Sequence, residues 1–467
     1  MSLTEPTLSP EQCRTARLAR DARFDGQFFV AVKTTGIFCR PICPATPPKE
    51  SNVSYLVHAT QAMQLGYRPC LRCRPDAAPN SWAWRGVETT VKRAVELMDQ
   101  GALQRQNLSQ LSERLGVTDR HLRQLFQRFI GMSPKQYDSH RRLLLAKQLL
   151  HETQLPMVHV ALASGFSSLR RFNDAFVKTL RLQPNQIRRQ QQSSTVANPT
   201  LLLSYRPPFD WPRMLAFYRA RAIDGLEHVD EHSYRRTFTI DGQTGWFEVC
   251  HHASKHALAL TVEIDALSVL PALIQHVRRL FDLDANSSVI DHHLQQTGLA
   301  TGFIAGVRLP GIWNLFEAGV RAILGQQVSV KAARNLVQQV VTELGQPLNA
   351  TLANEPQLAR CFPTPKAIAA SDLMFLKMPE SRRQCLKRLA QYFLTEPDCS
   401  PDDWLALKGI GPWTVNYAKL RGLSEPNIYL NSDLGVKNAL KAQQLELIPE
   451  QLSPWGSYAT FQLWSRL

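Results

Sequence analysis

Apolar positions along the chain change rhythm several times, and each rhythm predicts a different kind of structure. Residues 1–80 carry short apolar runs interrupted by Pro, Gly and a group of cysteines. Across residues 85–190 apolar side chains recur at helical spacing, which predicts an almost wholly helical region. Residues 201–285 mix helical spacing with short alternating stretches, and Ala257 to Ile264 reads as a strand. Residues 310–467 return to helix. The polar run Gln190-Gln191-Gln192-Ser193-Ser194-Thr195 predicts a linker. There is no long-period repeat, but residues 108–129 and 155–176 share a helix–turn–helix rhythm. No run of 18 apolar residues occurs, so no membrane span is expected.

Length and charge sharpen this picture. A chain of 467 residues suggests about three or four domains at ~150 residues each. The formal charge is +15, and +14 of it falls within residues 1–198, leaving +1 for the other 269. Such a cationic front half calls for a polyanion, either nucleic acid or an acidic membrane surface. The N-terminal Met1-Ser2-Leu3-Thr4-Glu5-Pro6 lacks the basic and apolar regions of an export signal. The nine cysteines are an odd number and four of them are grouped, which favours a metal site in a reducing cytosol over disulfides.

Cys39, Cys43, Cys70 and Cys73 form two close pairs separated by 26 residues. Paired cysteines in tight loops can set four sulfurs on the tetrahedron that zinc prefers, and spacing alone fits a purely structural site as well. The flanking Thr34-Thr35-Gly36-Ile37-Phe38-Cys39-Arg40-Pro41-Ile42-Cys43-Pro44 and Tyr67-Arg68-Pro69-Cys70-Leu71-Arg72-Cys73-Arg74-Pro75-Asp76 closely resemble the N-terminal domain of the Ada family. That resemblance covers residues 14–76 and implies that Cys39 accepts methyl groups from DNA methylphosphotriesters, with all four cysteines on Zn2+. Zinc keeps sulfur in its nucleophilic thiolate form, and an uncharged triester does not repel it. The resemblance also places Thr35 and Arg68 against the DNA backbone, while Thr46 departs from the family's arginine.

The segment from Leu108 to Phe126 has helix–turn–helix spacing, with Gly116 for the turn and Thr118 as a cap for the second helix. Arg120, Arg123 and Gln124 then project toward phosphates or base edges. A second copy runs from Val158 to Phe172 and presents Ser167, Ser168, Arg170 and Arg171. Either copy alone is met equally by an ordinary helical bundle with a basic face. The tandem, with its Gly131-Met132-Ser133-Pro134 step and its Phe176-to-Pro184 tail, resembles the AraC-type DNA-binding domain.

In the neutral half, Leu405 to Tyr417 reads as helix, hairpin, helix, and Gly409 and Gly411 leave backbone N–H groups free to hold a phosphate. Gly409-Ile410-Gly411-Pro412-Trp413-Thr414, Asn431-Ser432-Asp433 and Ala322-to-Val330 resemble the helix-hairpin-helix glycosylases, nearest to the AlkA-type 3-methyladenine enzymes. The likeness spans residues 201–467 and includes Tyr205-Arg206-Pro207-Pro208-Phe209-Asp210-Trp211. It implies that Asp433 is the catalytic carboxylate, stabilising an oxocarbenium-like sugar. Phe217, Trp413, Tyr417 and Trp464 would surround the flipped base, and a cationic alkylated purine would favour such rings. Leu434 replaces a family tyrosine, and Gln327 replaces the apolar wedge that fills the gap left by the base. Trp413 stands where strand-cleaving relatives carry a lysine, so a monofunctional hydrolase is expected. No Pro-Cys-His-Arg acceptor motif for guanine-O6 repair occurs.

The expected fold is multidomain α+β and mostly α. It comprises a zinc-bound α/β domain (1–80), an AraC-type double helix-turn-helix domain (85–190), a linker (191–200), an AlkA-type N-terminal α/β domain (201–285) and an all-α helix-hairpin-helix glycosylase core (286–467). The expected activities are methylphosphotriester repair, transcription activation and excision of alkylated bases. The alternative is a regulator whose glycosylase half only recognises lesions. Expected partners are double-stranded DNA, both alkylated and promoter, and RNA polymerase, for a monomer in the cytoplasm at the nucleoid.

Overall fold

The structure is a computed structural model, and it describes residues 8–21, 24–25, 27–43, 45–57, 61–62, 65–70, 73, 89–99, 101–153, 155–188, 200–348, 355–397 and 399–466. Of the expected linker at 191–200, residues 191–199 lie outside the described residues, and Thr200 is not linker but the first residue of a strand. Most of the described chain is helix, with two small sheets.

The first sheet has the order β3-β1-β2-β4, with β1 at Phe29–Val32, β2 at Ile37–Cys39, β3 at Val53–Leu56 and β4 at Arg68–Pro69. Gly36 turns the β1–β2 hairpin at φ +63°, a left-handed conformation suited to glycine. The parallel pairing Ile37↔Arg68 and Phe38↔Pro69 carries the chain after β4 alongside Cys39.

The basic region is helical, as its spacing predicts. Leu108–Arg114 and Asp119–Phe129 flank Gly116 (φ +68°), and the Thr118 hydroxyl accepts from the His121 N–H. Met157–Ala163 and Leu169–Leu180 repeat the arrangement around Gly165 (φ +85°), with Ser168 capping the second helix. The Pro134–Glu152 helix joins the two copies.

The second sheet is antiparallel with the order β5-β9-β8-β7-β6, formed by Thr200–Ser204, Ala257–Ile264, Gln243–His252, Ser233–Ile240 and Glu227–Val229. The strand read from the sequence at Ala257 to Ile264 is β9. One apolar core runs from Phe29 and Phe38 through Phe172 and Phe176 to Leu203, Phe238 and Trp313. The zinc-type unit, the second helix–turn–helix and the large sheet therefore share buried surface. Two further cores lie in the C-terminal helices, and one of them gathers Leu420, Val436, Tyr458 and Phe461 beneath Asp433. Among the described residues no helix is long and apolar enough to cross a membrane.

Candidate functional sites

Local pairing builds the cysteine site. Cys39 ends β2, the Cys43 N–H donates to the Arg40 carbonyl at 3.2 Å, and the Cys70 N–H donates to the Phe38 carbonyl at 2.9 Å. The four sulfurs lie within 4.8 Å of one another. Zn–S bonds of about 2.3 Å place tetrahedral sulfurs about 3.8 Å apart, so the donor set fits the ion. Thiols this close share their protons. Hydrogen bonding to Cys39 pulls Cys43 down to about 7, and hydrogen bonding to Cys43 pushes Cys39 up.

Arg40 braces this cluster. Its backbone N–H donates to Cys73 Sγ at 3.3 Å, and its guanidinium pairs with the buried Asp25 carboxylate. Cys70 and Cys73 are buried, whereas Cys39 and Cys43 are half-exposed. A cavity of about 200 Å³ opens onto Cys39, bordered by Thr35, Thr46, Arg20 and Ile37. Thr35 is exposed on the hairpin turn, and Arg68 is half-exposed on β4.

Arg120, Arg123 and Gln124 are exposed on the Asp119–Phe129 helix, while Leu122, Leu125 and Phe126 of the same helix are buried. Ser167, Ser168, Arg170 and Arg171 are exposed at the start of the Leu169–Leu180 helix. Arg123 lies 3.5 Å from Asp119, an exposed contact of small energetic weight.

The third site is assembled by two helix starts and the C-terminal helix. Gly409 (φ +101°) turns the hairpin, and Gly411 occupies the N-cap of the Pro412–Gly422 helix. Asp433 is the N-cap of the Leu434–Gln443 helix, where Oδ1 accepts from the Val436 N–H. Two indoles grip the same carboxylate: Trp413 Nε1 donates to Oδ2 at 3.0 Å, and Trp464 Nε1 donates to Oδ1 at 2.9 Å. Tyr417 stacks on Trp413 with ring centroids 5.2 Å apart. Leu434 beside the acid is 71% exposed.

Phe217 joins the group at one remove, through Phe461, and its ring faces two guanidiniums, Arg221 at 3.7 Å and Arg421 at 4.7 Å. Gln327 is exposed at φ +57°. Its neighbour Gln326 donates to the Gly409 carbonyl and the Thr414 hydroxyl, tying the Gln327 loop to the hairpin.

Sequence reasoning does not single out Gln326, Arg221, Arg421 or Gly435. Gln326 lies inside the Ala322-to-Val330 motif, which gives it no role of its own, and Arg421 stands four residues after Tyr417 on the same helix face. Gly435 follows the Asn431-Ser432-Asp433 motif, but only the structure gives its reason: a Cβ there would meet Asp433 Oδ1 at 3.0 Å and the Trp464 ring at 3.2 Å.

Three family models match the chain: the metal binding domain of Ada over residues 12–76, a helix-turn-helix domain over residues 111–190, and the AlkA N-terminal domain over residues 200–314. A probable bifunctional transcriptional activator/DNA repair enzyme AlkA from Mycobacterium tuberculosis is 35% identical, and the match covers 98% of this chain and 96% of that protein. The chain belongs to this family of bifunctional transcriptional activator/DNA repair enzymes. Within the family its two halves have separate relatives. DNA-3-methyladenine glycosylase 2 from Escherichia coli is 35% identical over 56% of this chain and 95% of its own length. The bifunctional transcriptional activator/DNA repair enzyme Ada from Escherichia coli is 39% identical over 27% of this chain and 35% of its own length. The four clustered cysteines are accordingly the zinc site of the Ada-type metal binding domain.

Proposed function

We propose that the chain repairs alkylated DNA at both ends and regulates transcription from its middle. The units doing so are residues 1–80, 85–190 and 201–467, with the α/β part at 201–285 and the glycosylase core at 286–467. In the glycosylase half, Asp433 stabilises the sugar as the base departs, and water replaces the base at the sugar carbon. The everted base lies against Trp413, Tyr417 and Trp464, Leu434 covers it, and Phe217 supports the rings from behind. Gly409 and Gly411 hold a backbone phosphate, and Gln327 enters the gap left by the base and bonds the orphaned partner.

The observation that carries this reading is the partly exposed Asp433 carboxylate held by two indole N–H groups beside the stacked Trp413–Tyr417 pair. No lysine stands at Trp413, so the reading is hydrolysis without strand cleavage. The test is base release from a panel of alkylated duplexes. The chain should release 3-methyladenine, and Asp433→Asn should abolish release while keeping DNA binding. Release undiminished in Asp433→Asn would overturn the assignment.

In the zinc half, the Cys39 sulfur attacks the methyl carbon of a phosphotriester, the carbon–oxygen bond breaks, and the phosphate leaves as a diester anion. Bound zinc supplies a thiolate at neutral pH. Cys39 keeps the methyl group, so the reaction is stoichiometric. The site then carries one negative charge fewer, which favours phosphate and strengthens DNA binding. Thr35 and Arg68 contact the backbone, while Arg120, Arg123, Gln124, Ser167, Ser168, Arg170 and Arg171 read the promoter. RNA polymerase is the downstream partner of a monomer acting in the cytoplasm, at the nucleoid. Methylated DNA should add one methyl to the Cys39 peptide by mass spectrometry and tighten promoter binding. An unmodified peptide would leave the cluster a structural site only.

A further inference from the structure

Trp413, Tyr417 and Arg421 stand one turn apart on a single face of the Pro412–Gly422 helix. Asp433 sits at the Trp413 end, held by its indole. Arg421 lies at the other end, about 12 Å further along the axis at 1.5 Å per residue. The aromatic wall thus has a carboxylate at one end and a guanidinium at the other.

The cationic end is built deliberately. Arg421 is 3% exposed, donates from Nη1 to the Tyr417 hydroxyl at 3.1 Å, and lies 4.7 Å from the Phe217 ring. Arg221 covers the same ring at 3.7 Å and donates to the Phe217 carbonyl at 3.2 Å. Burial and then the Arg421 charge pull Arg221 down to about 10, so it stays cationic at neutral pH. Among the described residues no carboxylate lies within ion-pair distance of either guanidinium. The nearby Arg236 and Arg321 contrast with them, since both are paired with Glu227 and Glu317.

We propose that Arg221 and Arg421 set a positive potential behind the base pocket which, opposed to Asp433 at the sugar end, draws the bonding electrons onto the departing base. This rests on the glycosylase reading above. In hydrolysis the C1′–N bond breaks, its electron pair stays with the base, and water adds to C1′ as its proton passes to solvent. A ring-alkylated purine goes from cation to neutral, and a neutral lesion goes from neutral to anion. Either way the base gains negative charge in the transition state, and a fixed positive field behind it favours that state over the bound ground state. The pair touches no reacting atom and acts through Phe217 and Tyr417, so both are positioning residues.

The field has a signature that a packing role lacks. It repels a base that is cationic before reaction and leaves the binding of a neutral one unchanged. Removing it should therefore lower kcat for both lesion types but tighten KM for the cationic lesion only. The experiment compares full-length parent, Arg221→Met and Arg221→Lys on duplexes carrying one 7-methylguanine (cationic) or one hypoxanthine (neutral). Arg221→Gln replaces Met should that variant not fold. The neutral substitution should reduce kcat on the order of tenfold on both duplexes and lower KM for 7-methylguanine alone. Lys should retain parental values. Equal losses in Met and Lys, or KM shifts shared by both duplexes, would overturn the field and leave the glycosylase reading standing. Absence of any base release by the parent would overturn both.

Discussion

Each oxygen of the Asp433 carboxylate is committed: Oδ1 receives the Val436 N–H and the Trp464 indole, and Oδ2 receives the Trp413 indole. An aspartate in that motif could be a helix cap or a catalytic acid; the structure shows the cap, and under the proposed function the same side chain is also the acid. The cap fixes its backbone at the helix start, and the indoles fix its rotamer; under the proposed function this pre-sets its approach to a sugar. A hydrogen bond to a charged group contributes about 1.5–3 kcal/mol. Replacing Trp413 or Trp464 by Phe keeps an aromatic ring but deletes one donor. Each should reduce kcat on the order of tenfold to hundredfold, with the larger part of substrate affinity retained, as single-turnover kinetics can measure. A loss confined to KM would mean that the rings only bind the base. The motif made the residues legible, but not the grip, because Trp464 lies 31 positions from Asp433 and only the folded chain brings them together.

At the scale of elements, the turn chemistry was readable wherever a glycine or a cap residue marks it. Gly116 and Thr118 make the turn and cap that their positions predict, and Gly409 and Gly411 make the predicted turn. Those two glycines differ in kind. Gly409 sits at φ +101°, and an added Cβ would meet Cys385 Sγ at 3.0 Å, so Gly409→Ala strains the backbone and crowds the core. Gly411 has extended backbone and nothing within 4 Å of an added Cβ. Under the proposed function this open space admits a phosphate. Gly409→Ala should therefore lower stability by about 1–2 kcal/mol and weaken DNA binding. Gly411→Ala should leave the melting temperature unchanged yet weaken DNA binding. Calorimetry with a DNA-affinity titration separates the two, and unimpaired binding by Gly411→Ala would remove the hairpin from the interface. What spacing could not reveal is the brace from Gln326, since a glutamine on a loop carries no local signal of a partner 83 residues away.

For the whole molecule, composition revealed the division between a cationic front and a neutral back, but not what joins the α/β part to the helical core. That joint is a buried ionic network: Arg236 pairs with Glu227 and Glu317, and Arg321 pairs with the same two acids. Its members come from β6, β7 and the Leu315–Leu324 helix, so no sequence window contains it. Burial raises the Glu227 carboxyl, but Arg321 and Arg236 outweigh burial and hold it at about 2. A carboxyl lowered in the folded state adds stability that is present above its unfolded value near 4.5 and disappears as pH falls toward 2. Glu227→Gln leaves two buried guanidiniums short of countercharge, a loss of about 3–5 kcal/mol at neutral pH. As pH drops from 4.5 to 2, the unfolded parent takes up a proton on Glu227 that the folded chain does not bind until about 2, so folding loses this contribution. The stability gap between parent and variant should therefore be constant from pH 7 down to about 5 and narrow below it. Denaturant unfolding of both chains at stepped pH measures that gap. A gap that stays constant down to pH 3 would mean that packing of the glutamate, rather than its charge, holds the sheet against the glycosylase helices.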